Sequence, residues 1–173
     1  MLRYLNSTKH FCLSLDEKSI NSPWLSVDAA YGVHQDGKGH TGMSEGIGKG
    51  GFNHKSSKQR IICKSSTEAE IVGASDFISK AMHTREFLKC QGYQPGPTIV
   101  YQDNLSAIKM MEDGKGSSDR TKHISIRFFW MKEKVDNNEI KFVYVPTENM
   151  VSDILTKPLS GKKFINLRNK LLN

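Results

Sequence analysis

Four acidic side chains stand where a cation-dependent reaction would need them: Asp28 in WLSVDAAY, Glu70 in KSSTEAE, Asp103 in TIVYQDN and Asp153 in ENMVSDILTK. Each adjoins an apolar segment instead of a solvated charge run. A carboxylate in such a place stays ionised only when it is paired or bound to a cation. The four are therefore read together as one metal site.

The elements that must position them follow from period and composition. Asp28 lies in PWLSVDAAYGV, whose β-branched and aromatic residues predict a strand, and the Gly-rich HQDGKGHTG after it predicts a turn. TGMSEGIGKGGFNHKSSKQRIICK predicts two short strands around GIGKGG, the second ending in Ile61, Ile62 and Cys63. Gly46, Gly48 and Gly51 satisfy G-x-G-x-x-G, but no helix signal follows and GKGG lacks the Ser or Thr that a P-loop carries after its Lys, so a hairpin turn is expected. From Ser65 the period changes. Ile71, Ala74, Ile78, Ala81, Met82 and Leu88 share one helical stripe, which predicts an amphipathic helix from about Thr67 to Gln91, ending near Gly92. Glu70 projects at the edge of that stripe, toward the sheet, whereas Glu68 lies off it and follows Ser65 at the spacing of a capping box. TIVYQD predicts a buried parallel strand that stops at Asp103, just before the helical NLSAIKMM, and such strand ends are where α/β sheets place ligands. A loop at EDGKGSSD, a helix through RTKHISIRFFWMKEKV and a strand at EIKFVYV come next. ENMVSDILTK predicts a helix capped by Thr147 or Asn149 and stopped by Pro158, with KKFINLRNKLL as a final amphipathic segment.

At 173 residues, 37% hydrophobic and 25% charged, the chain fits one globular domain with a single core and does not fit a disordered one. Its apolar runs span only a few residues, and MLRYLNSTKHFCLSLDEK has neither the apolar stretch nor the cleavage site of a signal peptide, so an intracellular protein away from membranes is expected. Cys12, Cys63 and Cys90 are odd in number and widely spaced, which predicts free thiols and not a disulfide framework or zinc site. A net charge of +7 and a pI near 9.3 favour a polyanionic partner, nucleic acid first. Asp36, Glu45, Asp76, Glu86, Asp113 and Glu133 are read as solvated faces or loops, and His34 and His40 form no metal-ligand pattern.

SVDAAYGVHQDGKGHTG, KSSKQ, KSSTEAE, YQDNLSAI, RTKHISIR and YVPTENMVSDILTKPL, in this order and spacing, resemble the ribonuclease H domain of copia-type (Pseudoviridae) LTR retrotransposon Pol polyproteins. The resemblance runs from about Leu2 to the carboxyl end. LRYLNSTKHFCLSL resembles the segment joining that domain to the reverse transcriptase upstream, so a connector at 1–22 and a domain at 23–173 are expected. The resemblance implies an α/β ribonuclease H-like fold: a five-stranded mixed sheet, three antiparallel strands then parallel ones, flanked by helices. It matches Asp28 to the acid in the middle of the first strand, Glu70 to the acid near the start of the first helix, Asp103 to the acid ending the fourth strand and Asp153 to the acid on the last helix. It implies an endoribonuclease that hydrolyses the RNA strand of RNA–DNA hybrids during reverse transcription, in the cytoplasm or a virus-like particle, with a reverse transcriptase domain or subunit as partner.

Two Mg²⁺ ions roughly 3.5–4 Å apart, with Mn²⁺ as a substitute, can both activate water and neutralise a scissile phosphate, and hard carboxylate oxygens suit them. Asp28 is expected to bridge both. Glu70 and Asp103 would hold the ion near the leaving 3′ oxygen and Asp153 the ion delivering water, giving 5′-phosphate and 3′-hydroxyl ends. By position in the family pattern, Ser66, Thr67 and Asn104 would contact the 2′-hydroxyl or nearby backbone, and Lys64, Arg120, Lys122, Arg127 and Lys157 would meet phosphates. Ser66 and Thr67 replace amides common in cellular relatives. The loop before Asp153 lacks the His many of those relatives carry, which leaves His123 as the nearest substitute. A solvated helix face is the alternative for the basic residues, and a cap or turn is the alternative for any single Asp. Two other classes stay open: a nuclease of the same fold acting on DNA or structured RNA, and a non-catalytic domain that binds nucleic acid or a polymerase.

Overall fold

The three β-rich segments of the amino-terminal half form an antiparallel unit in which β1 (Pro23–Ala30) pairs with β2 (His40–Ile47), and β2 with β3 (Gly50–Lys58). This computed structural model describes residues 2–15, 20–115 and 124–172. β4 (Thr98–Gln102) adds in parallel beside β1, and β5 (Ile140–Tyr144) in parallel beside β4, giving a five-stranded sheet in the order β3-β2-β1-β4-β5. Parallel neighbours need long crossovers. α2 (Ser66–Cys90) makes the first, following α1 (Leu2–Thr8) in the chain, and α3 (Leu105–Asp113) with α4 (Ser125–Asp136) makes the second. The chain closes with α5 (Asp153–Thr156) and α6 (Gly161–Leu171). This is the mixed ribonuclease H-like sheet that the resemblance implied.

α2 starts and stops where its sequence dictates. The Ser65 hydroxyl accepts from the Glu68 amide at 3.1 Å, and the Glu68 carboxylate accepts from the Lys64 amide at 2.7 Å, so the capping box forms with its return bond one residue upstream. Gly92 ends the helix at φ +88, with the Tyr93 amide bonded to the Leu88 carbonyl. Between these caps Ile71, Ala74, Ile78 and Ala81 are buried against Leu25, Val27 and Met43 of the sheet, and the core continues through Val100, Phe128, Met131 and Ile140. The glycine-rich segment is a hairpin. Gly48 turns at φ +66 and its carbonyl accepts from the Trp24 indole at 2.7 Å, while a bulge falls between Glu45 and Gly46.

Three details differ from the expectations. Glu45, read as solvated, is 2% exposed. β2 is an inner strand covered on both faces, and Glu45 sits opposite Leu25, with Oε2 accepting from Asn53 at 2.8 Å and Oε1 without a partner. β3 stops at Lys58 and does not run on to Cys63, because the Gln59 amide turns back to the Gly39 carbonyl at 2.9 Å. The helix expected from Thr147 or Asn149 is broken: Thr147–Asn149 forms one 3₁₀ turn, Met150 is extended at φ −72 and ψ 102, and helix resumes at Asp153.

Candidate active site

Parallel pairing of β1 and β4 brings Asp28 and Asp103 to the same end of the sheet, and the first turns of α2 lower Glu70 between them. One oxygen from each of Asp28, Glu70 and Asp103 lies within 4.8 Å of the others. Asp28 and Glu70 are buried, and Asp103 is partly open. Gln102 organises this group. Its amide nitrogen donates to Glu70 at 3.1 Å, and its oxygen accepts from the Asp103 and Asn104 amides at 2.8 and 3.1 Å. Thr147 donates to Asp103 at 2.7 Å, and Thr156 donates to Asp28.

Asp153 joins by another route. It is fully buried at the start of α5 and stands outside the three-acid group. Lys157 donates to Asp153 Oδ1 at 2.6 Å and sits 3.4 Å from Asp28 Oδ2, while Lys163 pairs with Asp153 Oδ2. Lys157 thus links the two aspartates.

The charges are consistent with a cation seat. Burial, then the charge of Asp28, pushes the Glu70 carboxyl up to about 9 despite the bond from Gln102. Burial likewise raises Asp28, against the Thr156 bond and Lys157. Burial also opposes ionisation of Asp153, but Lys157 and Lys163 outweigh it and hold that carboxyl below its ordinary value. Three convergent carboxylates, of which Asp28 and Glu70 are raised by burial, offer hard oxygen donors only and fit a divalent cation such as Mg²⁺ or Mn²⁺.

Of the residues expected to touch substrate, Thr67 and Asn104 lie side by side at the starts of α2 and α3, with Asn104 Nδ2 3.5 Å from Thr67 Oγ1. Asn104 Oδ1 is occupied in capping α3 through the Ala107 amide at 3.0 Å. Ser66 and Lys64 are exposed beside them. Arg127 turns instead to Asp76, at 2.5 Å. Arg120, Lys122 and His123 lie outside the described residues. The tilted rings of His34 and His40 share a hydrogen bond between Nε2 and Nδ1 at 3.1 Å, and His40 reaches Ser56, whose hydroxyl donates to the Leu155 carbonyl at 2.6 Å, so they brace α5. The sequence reading missed Gln102, Thr147, Thr156 and Lys163. Only Gln102 carried a signal, as a polar side chain on a buried strand next to an acid.

Sheet order and the placement of the acids put the chain in the ribonuclease H fold class. Among solved structures it is similar to LC11-RNase H1 in complex with an RNA/DNA hybrid, at a TM-score of 0.56 and 14% identity over 78% of this chain and 93% of that one. It is also similar to prototype foamy virus protease-reverse transcriptase, at a TM-score of 0.56 and 16% identity over 83% of this chain and 21% of that one. In sequence, the chain is 30% identical over 165 residues to the retrovirus-related Pol polyprotein from transposon TNT 1-94 of Nicotiana tabacum, covering 95% of this chain and 12% of that protein. It is 29% identical over 173 residues to the Pol polyprotein from transposon RE1 of Arabidopsis thaliana, covering 99% and 12%. No protein-family model matches the chain. The chain spans about 12% of the length of these curated relatives. In sequence the chain is thus similar to retrotransposon Pol polyproteins, and in fold to ribonuclease H domains. Among the described residues, no helix is long and apolar enough to cross a membrane.

Proposed function

We propose that this chain is a metal-dependent endoribonuclease that hydrolyses the RNA strand of RNA–DNA hybrids. The convergence of Asp28, Glu70 and Asp103 within 4.8 Å, at the sheet end of a ribonuclease H fold, carries the reading. These three would hold Mg²⁺, and Asp153 would complete the set of carboxylates for two ions. Bound there, the metal supplies charge neutralisation at the scissile phosphate and a more acidic water. Gln102 holds Glu70 and the Asp103 backbone in register, so the donors are set before substrate arrives. Thr156 orients Asp28, and Thr147 orients Asp103. Thr67, Asn104 and Ser66 face the 2′-hydroxyl side of the backbone, the feature that marks RNA. Lys64 and Lys157 offer cations to phosphates, as would Arg120, Lys122 and His123. In hydrolysis the water oxygen bonds phosphorus, the bond to the 3′ oxygen breaks, and that oxygen leaves protonated. A 5′-phosphate and a 3′-hydroxyl result.

The relatives are Pol polyproteins, which supports work inside the cell, in the cytoplasm or a virus-like particle, beside a reverse transcriptase reached through a connector at residues 1–22. Cleavage of labelled RNA in a hybrid with Mg²⁺ tests the reading, alongside single-stranded RNA, duplex RNA and duplex DNA. The parent should cut only the hybrid. Asp103→Asn should lose cutting while still binding it, because one charge goes with little change of shape. Cutting of duplex DNA or duplex RNA would move the function to another nuclease class, and a hybrid bound but uncut in Mg²⁺ and Mn²⁺ would make this a binding module.

A further inference from the structure

Trp24, Ser26 and Asp28 alternate along β1 with the core residues Leu25 and Val27, so they leave the sheet on the face away from α2. On that face lies a cavity of about 270 Å³ that none of the proposed catalytic groups lines. Its apolar part is the pair of rings Trp24 and Tyr101, with Met150 beside them. The ring centroids are 6.4 Å apart and the planes tilt by 52°, which makes a corner and not a slot: a flat ring stacked on one meets the other edge-on. Trp24 is fixed there by the bond from its indole to the Gly48 carbonyl at 2.7 Å. The volume falls just below the roughly 300 Å³ at which pockets for drug-sized ligands begin, room for one ring system and a small polar group.

Cations complete the lining. Lys49, in the turn between β2 and β3, and Lys170, on α6, both reach this space, and among the described residues no Asp or Glu does. Lys49 forms no ion pair among those residues, and Lys170 uses one of its three donors on Asn149 Oδ1 at 2.6 Å, which leaves the Asn149 amide nitrogen free to donate. An exposed lysine alone is an ordinary solvated cation. An aromatic corner alone is ordinary packing, and the bond to Gly48 accounts for the fixed Trp24 ring. Neither accounts for cations from two distant elements meeting over a partly open Tyr101. Together they suit a planar ring that carries an anion, and a base with its phosphate has that chemistry. The cavity also backs onto Asn149 of the 3₁₀ turn, whose Thr147 donates to Asp103 at 2.7 Å.

We propose that this cavity is a seat for a single nucleotide, with the base in the Trp24–Tyr101 corner and the phosphate between Lys49 and Lys170. The seat goes beyond the hybrid-nuclease reading and does not depend on it. The chain has two tryptophans, so Trp130→Phe leaves Trp24 as the one indole reporter. In EDTA, adenosine 5′-monophosphate should quench Trp24 emission to saturation in that variant. Adenosine should bind about tenfold more weakly, and inorganic phosphate should not quench. Adding Lys49→Gln/Lys170→Gln should weaken the monophosphate about tenfold and leave adenosine unchanged, whereas Lys109→Gln/Lys162→Gln, at exposed positions outside the cavity, should change neither. Tyr101→Leu should weaken both ligands about fivefold. A short RNA with a 5′-phosphate distinguishes the source: tighter binding than the monophosphate, lost with Lys49 and Lys170, assigns the seat to a strand end, and weaker binding assigns it to a free nucleotide. Quenching that never saturates, or equal monophosphate affinity with and without the two lysines, overturns the seat. Hybrid cleavage by the parent is scored separately. A parent that cuts no hybrid but shows saturable quenching overturns the nuclease and keeps the seat, whereas a cutting parent without saturable quenching overturns the seat alone.

Discussion

Glu70 carries a proton that an exposed glutamate would have lost. Its carboxyl is pushed from 4.5 to about 9 by burial and by Asp28, so between those values the unfolded chain releases a proton that the folded one keeps. Stability of the metal-free protein should therefore fall as pH rises from about 5 to about 9, by at most about 1.4 kcal/mol per pH unit from this group. Urea unfolding in EDTA should show that decline for the parent and a flatter profile for Glu70→Gln, and Mg²⁺ should stabilise the parent at pH 8 more than the variant. Parallel profiles would refute the burial argument. Gln102→Leu should cost about 2 to 3 kcal/mol, since it strips the Glu70 contact and leaves the Asp103 and Asn104 amides without their acceptor; denaturant midpoints check this. Helix phase and strand ends placed Glu70 and Asp103 in the sequence because each sits at a boundary between periods. Glu45 and Lys163 defied the same reading. Burial of Glu45 comes from layers on both faces of β2, and Lys163 meets Asp153 from ten residues away, so no local spacing announces either.

Among the elements, α5 is the most exacting. It lies directly on β2, where a Cβ on Gly42 would approach Leu155 Cβ and the Ser152 carbonyl each at 2.7 Å. Gly42→Ala should therefore displace α5 and the Asp153 at its head, costing about 1 to 3 kcal/mol and lowering hybrid cleavage more than hybrid binding. Melting curves with paired cleavage and anisotropy assays would decide it, and a variant with parental cleavage would show that α5 tolerates the shift. The bounds of α2 were legible because Ser65, Glu68 and Gly92 act through neighbouring backbone. Those of α5 were not. The Thr147 hydroxyl is drawn to Asp103, a residue distant in the chain, and extended Met150 lies fully buried against Ser26, so tertiary contacts override the local helix signal.

At the scale of the molecule, pattern supplies the strands but not their order. Nothing in the period of TIVYQD says that it lies beside β1 and not beside β3; the family resemblance implied three antiparallel strands and then parallel ones, and the order appears only in the folded sheet. The amino-terminal segment was expected to be a connector, and it packs on α6, with Tyr4 edge-on to Phe164 at 6.0 Å and Arg168 4.3 Å from the Phe11 ring. Its Leu2, Leu5, Leu13 and Leu15 remain exposed, so it adds little to the core. Removal of residues 1–15 should lower the melting temperature by a few degrees, from the loss of about 1 to 2 kcal/mol of aromatic and cation–π contact, while far-UV circular dichroism keeps its strand and helix content. Collapse of the truncated chain would place the domain boundary upstream of residue 23.

Gln59 has one more neighbour. The Cys63 thiol donates to its Oε1 at 3.4 Å, is 3% exposed and, through burial, is pushed up to about 11, whereas Cys12 and Cys90 are exposed. An alkylating reagent needs thiolate and access, so two cysteines should label at once and the third only when the segment between β3 and α2 lifts away. The chain thus carries its own clock for local opening at the turn that delivers Glu70. Mass spectrometry can follow it without any introduced probe, and can ask whether nucleic acid slows it.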